Sequence, residues 1–127
     1  MKILLDANAF MMPAQFQIDL FDELRTLLGA FEPLVLSAVI RELTGVSRAK
    51  GRDGAAARHG LTLIERCTVV ESSTLQSESV DAQVIEYAAL NSCMVVTNDR
   101  RIRDALLTRG IGVISMRNQK KLEILRR

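Results

Sequence analysis

Short apolar runs alternate along the chain with segments in which apolar residues recur every three or four positions. The short runs predict buried strands at residues 2–5, 34–36, 68–70, 94–97 and 113–115. The recurring spacing predicts amphipathic helices at residues 18–28, 55–66, 80–90 and 100–108, and another behind Ser37, which stands where a helix N-cap is expected. This alternation is typical of a three-layer α/β/α sandwich around a mostly parallel sheet.

The composition is that of one globular domain, and we expect residues 1–127 to fold as a single unit. Hydrophobic residues make up 48% of the chain, which is enough for a core and argues against disorder. No apolar run approaches the roughly 18 residues of a membrane span, and the first run meets Asp6 too early for a signal peptide. We therefore expect a cytoplasmic protein with no membrane partner.

The two cysteines and the single histidine offer no catalytic pattern. Cys67 and Cys93 form no CxxC motif, and His59 does not stand at zinc-ligand spacing from either. We expect two buried free thiols and a histidine on a surface helix.

The net charge of +2 conceals an uneven distribution. Residues 1–99 carry 8 basic and 13 acidic side chains, whereas residues 100–127 carry 9 basic and 2 acidic ones. A cationic segment of this kind attracts polyanions, of which nucleic acid is the commonest in a cytoplasm. Because aromatic residues make up only 4% of the chain, we expect contacts to phosphates rather than base stacking.

Four carboxylates occupy positions that solubility does not explain. Asp6 directly follows the first predicted strand, and Asp99 follows the fourth with only Asn98 between. Glu42 and Asp81 each share the apolar stripe of a predicted helix. The carboxyl ends of parallel strands meet at one sheet edge, and a carboxylate facing the core needs a cation or a proton. All-oxygen ligands suit Mg²⁺ or Mn²⁺.

Each carboxylate also has a simpler explanation. Asp6 and Asp99 could cap the helices that follow them, Asp81 could interact with its own helix dipole, and Glu42 could pair with an arginine. The convergence of all four at one edge favours a shared cation over four separate structural roles.

Four motifs contain these acids: Asp6-Ala7-Asn8, Ile40-Arg41-Glu42-Leu43, Val80-Asp81-Ala82-Gln83-Val84-Ile85 and Thr97-Asn98-Asp99-Arg100-Arg101-Ile102-Arg103. Together they resemble the PIN-domain nucleases, in particular small stand-alone members similar to toxin-type and rRNA-processing PIN endonucleases. The resemblance covers essentially the whole chain, and its most specific element is Thr97-Asn98-Asp99.

The resemblance implies an endoribonuclease that hydrolyses RNA phosphodiester bonds with Mg²⁺ or Mn²⁺ bound by Asp6, Glu42, Asp81 and Asp99. It further implies that Asn8, Thr97 and Asn98 support these ligands by hydrogen bonds or contact the substrate. Many relatives carry another acid where this chain has Arg101, which weakens the case for a second metal ion. Asp104 could substitute, but a surface pair with Arg100 four residues earlier is the simpler role.

Two groups of cations are candidates for holding RNA. The residues are Arg48, Lys50 and Arg52 in a glycine-bounded basic loop, and Arg100, Arg101 and Arg103 beside Asp99. The resemblance also implies a candidate antitoxin partner and a candidate homodimer. The apolar stripe of Ile102, Ala105 and Leu106 is explained equally well by self-association and by the core.

Two alternative classes remain open at this point. The first is a catalytically inactive PIN-like module for RNA binding or assembly. The second is a phosphotransfer domain of the haloacid-dehalogenase or receiver kind. The second is disfavoured because Asn8 replaces the second aspartate of the former, and the acidic pair of the latter is absent.

Overall fold

Six strands form one central sheet in the computed structural model, which describes residues 1–126. The strands are β1 (Lys2–Leu5), β2 (Glu32–Leu36), β3 (Thr68–Val70), β4 (Met94–Val96), β5 (Val113–Arg117) and β6 (Lys121–Leu125). Their order across the sheet is β3-β2-β1-β4-β5-β6. The first five run parallel and β6 runs antiparallel to β5. The expectation of a mostly parallel sheet is confirmed.

Helices fill the connections between the parallel strands. They are α1 (Ala7–Phe16), α2 (Leu20–Leu28), α3 (Ser37–Ser47), α4 (Arg52–Leu61), α5 (Val80–Asn91) and α6 (Arg100–Thr108), with a short 3-10 turn at Ile64–Arg66. Right-handed crossovers place α1 to α4 on one face of the sheet and α5 and α6 on the other. This is the three-layer α/β/α sandwich that the alternation predicts. Within residues 1–126, no helix combines the length and the apolar character needed to cross a membrane.

The chain reverses its direction of travel across the sheet between β1 and β4. From β1 it moves outward to β2 and β3, then returns past them to β4 and β5. In open parallel sheets the crevice at such a switch point lies beyond the carboxyl ends of the two central strands. Leu5 is level with Val96 in the register of β1 and β4, so Asp6 and Thr97 leave the sheet at the same height.

The central strands are apolar throughout because helices cover both faces of the sheet. Ile3, Leu4 and Leu5 of β1 and Val95 and Val96 of β4 are fully buried. The strands that flank the switch point are therefore rigid supports for the residues at their ends.

Two elements have no counterpart in the pattern of the sequence. Helix α1 buries residues around most of its circumference, so its sequence shows no amphipathic period. It also contains Pro13, a residue that usually marks a break in a helix. Strand β6 is a short edge strand of which only Leu122 is buried. Both were missed because their signals are weak without the packing around them.

Two local predictions are wrong. Leu36, not Ser37, is the N-cap of α3, and the Ser37 hydroxyl is instead hydrogen bonded to Ser72 and Glu71 after β3. Helix α4 begins at Arg52 rather than at residue 55. The connection between α3 and α4 is therefore residues 48–51, and Arg52 belongs to a helix rather than to a loop.

Candidate active site

Asp6 lies at the carboxyl end of β1, where it is only 4% exposed. Its side chain caps α1, because the Ala9 backbone N–H donates to Asp6 Oδ1 at 2.9 Å. Burial raises the pKa of Asp6 to about 7, and the negative charges of Asp81 and Asp99 add to the rise. Hydrogen bonds from Thr97 and Ala9 to Asp6 oppose this rise in its pKa. The predicted capping role is confirmed, and it coexists with a strongly perturbed carboxyl group.

Asp99 lies on the other side of the switch point and is the N-cap of α6. Its Oδ1 accepts hydrogen bonds from the backbone N–H groups of Arg101 at 2.9 Å and Ile102 at 3.3 Å. Its own N–H donates to Thr97 Oγ1 at 3.1 Å. The negative charge of Asp99 adds to the rise in the pKa of Asp6 that burial causes.

Glu42 and Asp81 are exposed, so the expectation that they face the core is wrong. Asp81 lies in the first turn of α5 and Glu42 lies next to the buried Leu43 on α3. Partial burial and then the charge of Asp81 raise the pKa of Glu42. The charges of Asp81 and Asp99 both add to the rise in the pKa of Asp6. Asp81 is therefore close enough to affect the pKa of both Glu42 and Asp6.

The four carboxylates have no cationic partner among residues 1–126, since none of them forms an ion pair there. In the same part of the chain, no three side chains of Asp, Glu, His or Cys are gathered closely enough to enclose a metal ion. The donor chemistry nevertheless fits a divalent cation, because oxygen-only ligands suit Mg²⁺ and Mn²⁺. Burial raises the pKa of Asp6 to about 7, the charges of Asp81 and Asp99 add to the rise, and a divalent cation would stabilise the charged form of such a carboxyl group.

Three polar residues named from the sequence hold the site together. The hydroxyl of Thr97, which is fully buried, is hydrogen bonded to Asp6 and accepts the Asp99 N–H. The Asn98 N–H donates to Asn8 Oδ1 at 2.8 Å. Asn98 Oδ1 accepts the Met116 N–H at 3.3 Å, which attaches β5 to the same loop. These bonds fix the separation between the ends of β1, β4 and β5.

The cations beside Asp99 divide into two kinds. Arg100 and Arg101 are exposed in the first turn of α6. Arg103 is paired with Asp104, with 3.5 Å between Nε and Oδ1. The expected pair between Asp104 and Arg100 is therefore wrong, since Asp104 pairs with its immediate neighbour. Arg100 and Arg101 remain free of ion pairs within residues 1–126.

Arg52 of the predicted basic loop lies away from Asp6. Arg48 and Lys50 are exposed, and Arg52 lines a cleft with Ala14 and Gln17 at the far end of α1. Because Asp6 caps the opposite end of this 10-residue helix, Arg52 is about one helix length, ~15 Å, from Asp6.

One polar cluster at this sheet edge escaped the sequence analysis. The hydroxyls of Ser37 and Ser72 are 2.9 Å apart, and Ser37 Oγ donates to Glu71 Oε1 at 3.0 Å. Ser72 Oγ also accepts the N–H of Ala38 at 3.2 Å, which anchors the start of the helix that carries Glu42. The available signal is the polar residues directly behind β2 and β3, but the sequence pattern predicts a helix cap at Ser37 and a loop from Ser72 onward, and neither prediction brings the two together.

The two thiols are poor nucleophile candidates. Cys67 and Cys93 are free thiols, as expected, but only Cys93 is buried, and Cys67 is partly exposed. Burial raises the pKa of Cys67 to about 11. Burial is also the largest cause of the raised pKa of Cys93. Neither residue therefore forms a thiolate near neutral pH. His59 is exposed on α4, as expected.

Comparison with known proteins agrees with this geometry. A family model described as a PIN like domain matches residues 3–119. The chain belongs to the PIN-like domain family. The resemblance seen in the sequence motifs is thereby confirmed.

Relatives of this PIN-like chain include two archaeal ribonucleases. Ribonuclease VapC9 of Archaeoglobus fulgidus is 31% identical over 118 residues, covering 92% of this chain and 84% of the relative. Ribonuclease VapC4 of Methanocaldococcus jannaschii is 27% identical over 128 residues, covering 97% and 95%.

Solved structures show the same PIN fold. The PIN domain endonuclease Utp24 superposes with a TM-score of 0.80 at 26% identity, covering 99% of this chain and 92% of that one. VapBC2 from Rickettsia felis, bound to a DNA fragment from their promoter, gives a TM-score of 0.66 at 17% identity, covering 92% and 100%. The second likeness concerns the fold alone. The relatives and the endonuclease structure support a nuclease of the PIN-like family.

Proposed function

We propose that this PIN-like protein is an endoribonuclease that hydrolyses RNA phosphodiester bonds with Mg²⁺ or Mn²⁺ held by Asp6, Glu42, Asp81 and Asp99. The observation that carries the proposal is the electrostatic coupling of these carboxylates. Burial is the largest cause of the raised pKa of Asp6 and of Glu42. The charges of Asp81 and Asp99 add to the rise at Asp6, and the charge of Asp81 adds to the rise at Glu42. Within residues 1–126 no basic side chain pairs with any of the four.

The four proposed ligands differ in mobility. Asp6 and Asp99 are fixed by the caps that they provide to α1 and α6. Glu42 and Asp81 are exposed and free to turn toward the crevice, which would complete a ligand set that is open without a cation. A bound divalent cation would supply an activated water and would neutralise charge on the scissile phosphate. In this arrangement Thr97, Asn8 and Asn98 orient the fixed ligands.

Cations near the crevice would bind the substrate. Arg100 and Arg101 project from the same helical turn that Asp99 caps, so we propose that they contact phosphates close to the cleaved bond. Arg103 would contribute less, because Asp104 neutralises part of its charge. Arg48, Lys50 and Arg52 would meet only more distant parts of a bound RNA.

The relatives support two biological roles. We propose a toxin of a toxin–antitoxin pair, which the VapC ribonucleases support, or an rRNA-processing nuclease, which the Utp24 likeness supports. An antitoxin is the proposed protein partner in the first case. A homodimer stays a prediction, and light scattering of the purified protein tests it. Ile102 and Leu106 are buried in the core, so they do not form a self-association face.

Cleavage of labelled RNA in the presence of Mn²⁺ or Mg²⁺ tests the activity, with Asp99→Asn as the decisive variant. Asparagine caps a helix as well as aspartate does, so the fold should persist while cleavage is lost. Wild-type rates in metal-loaded Asp99→Asn would refute the assignment. Circular dichroism of the variant verifies that the helices remain.

An inactive PIN-like module is the second candidate, and the open ligand set within residues 1–126 favours it. The two functions differ in their response to metal. A cation that binds only the folded protein must raise its Tm as its concentration rises. A Tm that is flat across a Mn²⁺ titration, together with RNA binding, would favour the inactive module.

A further inference from the structure

The β5–β6 hairpin extends past the carboxyl edge of the sheet at which the four carboxylates lie. Leu5, Val96 and Ile114 are in register across β1, β4 and β5, so Asp6 is level with Ser115. Strand β5 continues two residues further, to Arg117. At about 3.3 Å per residue and 4.8 Å per strand, Arg117 lies ~7 Å beyond Asp6 and ~10 Å to its side. The hairpin end therefore stands beside the crevice.

Three cations make up the hairpin end, which we call the cationic tip: Arg117, Lys120 and Lys121. All three are exposed. Arg117 Nε lies 4.0 Å from Glu123 Oε2, and Arg117 and Lys121 also border a groove that Glu23 of α2 lines. Lys120 and Lys121 form no ion pair within residues 1–126. The cationic tip thus keeps most of its positive charge.

The stability of the hairpin does not explain this arrangement. Arg117 and Lys121 are directly opposite each other in the β5–β6 register, and like charges in such positions destabilise a hairpin. The turn holds Asn118 and Gln119 at φ 52° and 57°, a left-handed conformation that glycine adopts at lower cost. A polyanion bound to the tip would relieve the repulsion between its cations.

The cationic tip is attached to the loop that carries Asp99. Met116, next to Arg117, donates its N–H to Asn98 Oδ1, and Asn98 in turn donates its N–H to Asn8. These bonds keep the tip at a fixed distance from the carboxylates. The family match ends at residue 119, so Lys120 and Lys121 lie beyond the part of the chain that the family model covers.

From this register, charge and attachment we infer that the cationic tip binds the phosphate backbone of single-stranded RNA next to the bond that is cleaved. The inference rests on the proposed endoribonuclease function, since it places the substrate of that site. Contacts of this kind contribute affinity without reading sequence. The tip would act with Arg100 and Arg101, on the β5 side of the crevice.

The test compares two double variants that each remove two positive charges. Lys120→Gln with Lys121→Gln changes the cationic tip. Lys2→Gln with Arg109→Gln is the matched control, because both residues are exposed and lie at the opposite edge, at the start of β1 and the end of α6. Fluorescence anisotropy measures binding of a short labelled single-stranded RNA in EDTA over a range of salt concentrations. Cleavage is measured separately in Mn²⁺.

Loss of two phosphate contacts should make the negative slope of log K against log salt shallower by about 1.4, at roughly 0.7 per contact on a single strand. If the two proteins bind equally at about 1 M salt, this change in slope corresponds to ~25-fold weaker binding of RNA by the variant at about 0.1 M salt. The control should match wild type, Lys120→Arg with Lys121→Arg should restore binding, and the Tm of the glutamine variant should not fall. A slope equal to that of the control, or no rescue by arginine, would overturn the inference.

The binding and cleavage assays separate the two proposals. If wild type binds RNA through the cationic tip but does not cleave it with metal, the endoribonuclease assignment fails, and the tip is then an RNA-binding surface with no cleaved bond beside it. If wild type cleaves RNA and the tip variant keeps the wild-type slope, only the tip inference fails. Absence of RNA binding by wild type overturns the tip inference outright.

Discussion

Asp6→Asn is expected to stabilise the metal-free protein above pH 7. Burial raises the pKa of the Asp6 carboxyl to about 7 in the folded protein, from an ordinary value of 3.8. The folded state therefore binds this proton more tightly than the unfolded state. Its contribution to stability is fully present below about pH 4 and is lost as the pH rises through 7.

The size of the effect follows from the difference in pKa. The pKa of Asp6 differs by about 3 between the unfolded and the folded protein. At 1.36 kcal/mol for each pKa unit, the folded state loses about 4 kcal/mol of stability at pH 8. Asparagine has nearly the same shape, keeps an oxygen to accept the Ala9 N–H, and carries no charge to desolvate. At pH 8 Asp6→Asn should therefore unfold at higher urea concentration than wild type, by up to about 4 kcal/mol in free energy of unfolding.

Urea unfolding in EDTA at pH 5 and pH 8 measures this difference, and Asp19→Asn is a matched control. Asp19 also caps a helix, α2, but it is exposed. Its substitution should change the stability little at either pH. Adding Mn²⁺ at pH 8 should stabilise wild type and not Asp6→Asn. The reasoning would be refuted if Asp6→Asn were less stable than wild type at pH 8. It would also be refuted if the stability of the variant depended on pH as strongly as that of wild type.

Two further predictions concern the supports of the site. Thr97→Val removes a buried hydroxyl that serves both Asp6 and Asp99, and it should cost about 1–3 kcal/mol in urea unfolding and slow RNA cleavage. Thr97→Ser, which keeps the hydroxyl, should retain cleavage, and equal losses in both variants would contradict the hydrogen-bonding role. Gly60→Ala would place a Cβ against the backbone of α1 and should lower the Tm by several degrees. Gly45→Ala, with open space around it in α3, should raise the Tm, and a similar drop in both would show that the α1–α4 contact is not the cause.

Much of the candidate site could be inferred from local sequence. A carboxylate directly behind a short apolar run is at the end of a buried strand wherever that strand lies, so Asp6 and Asp99 were assigned to the sheet edge correctly. The exposure of Glu42 and Asp81 could not be inferred in the same way. A helical stripe shows which residues share a face, but it does not show where along that face the neighbouring layer ends.

The sequence alone determined the alternation of strands and helices, the parallel sheet and the edge at which Asp6 and Asp99 lie, because these depend on periodicity and chain order. Tertiary structure decided which cations stand near that edge. Arg52 is brought to the far end of α1 by the packing of α4, whereas Arg117 and Lys121 are placed beside the crevice by the register of a hairpin that the sequence pattern barely shows. Charge along a chain is local information, but the distance between a charge and a site is set by strand order, register and helix packing.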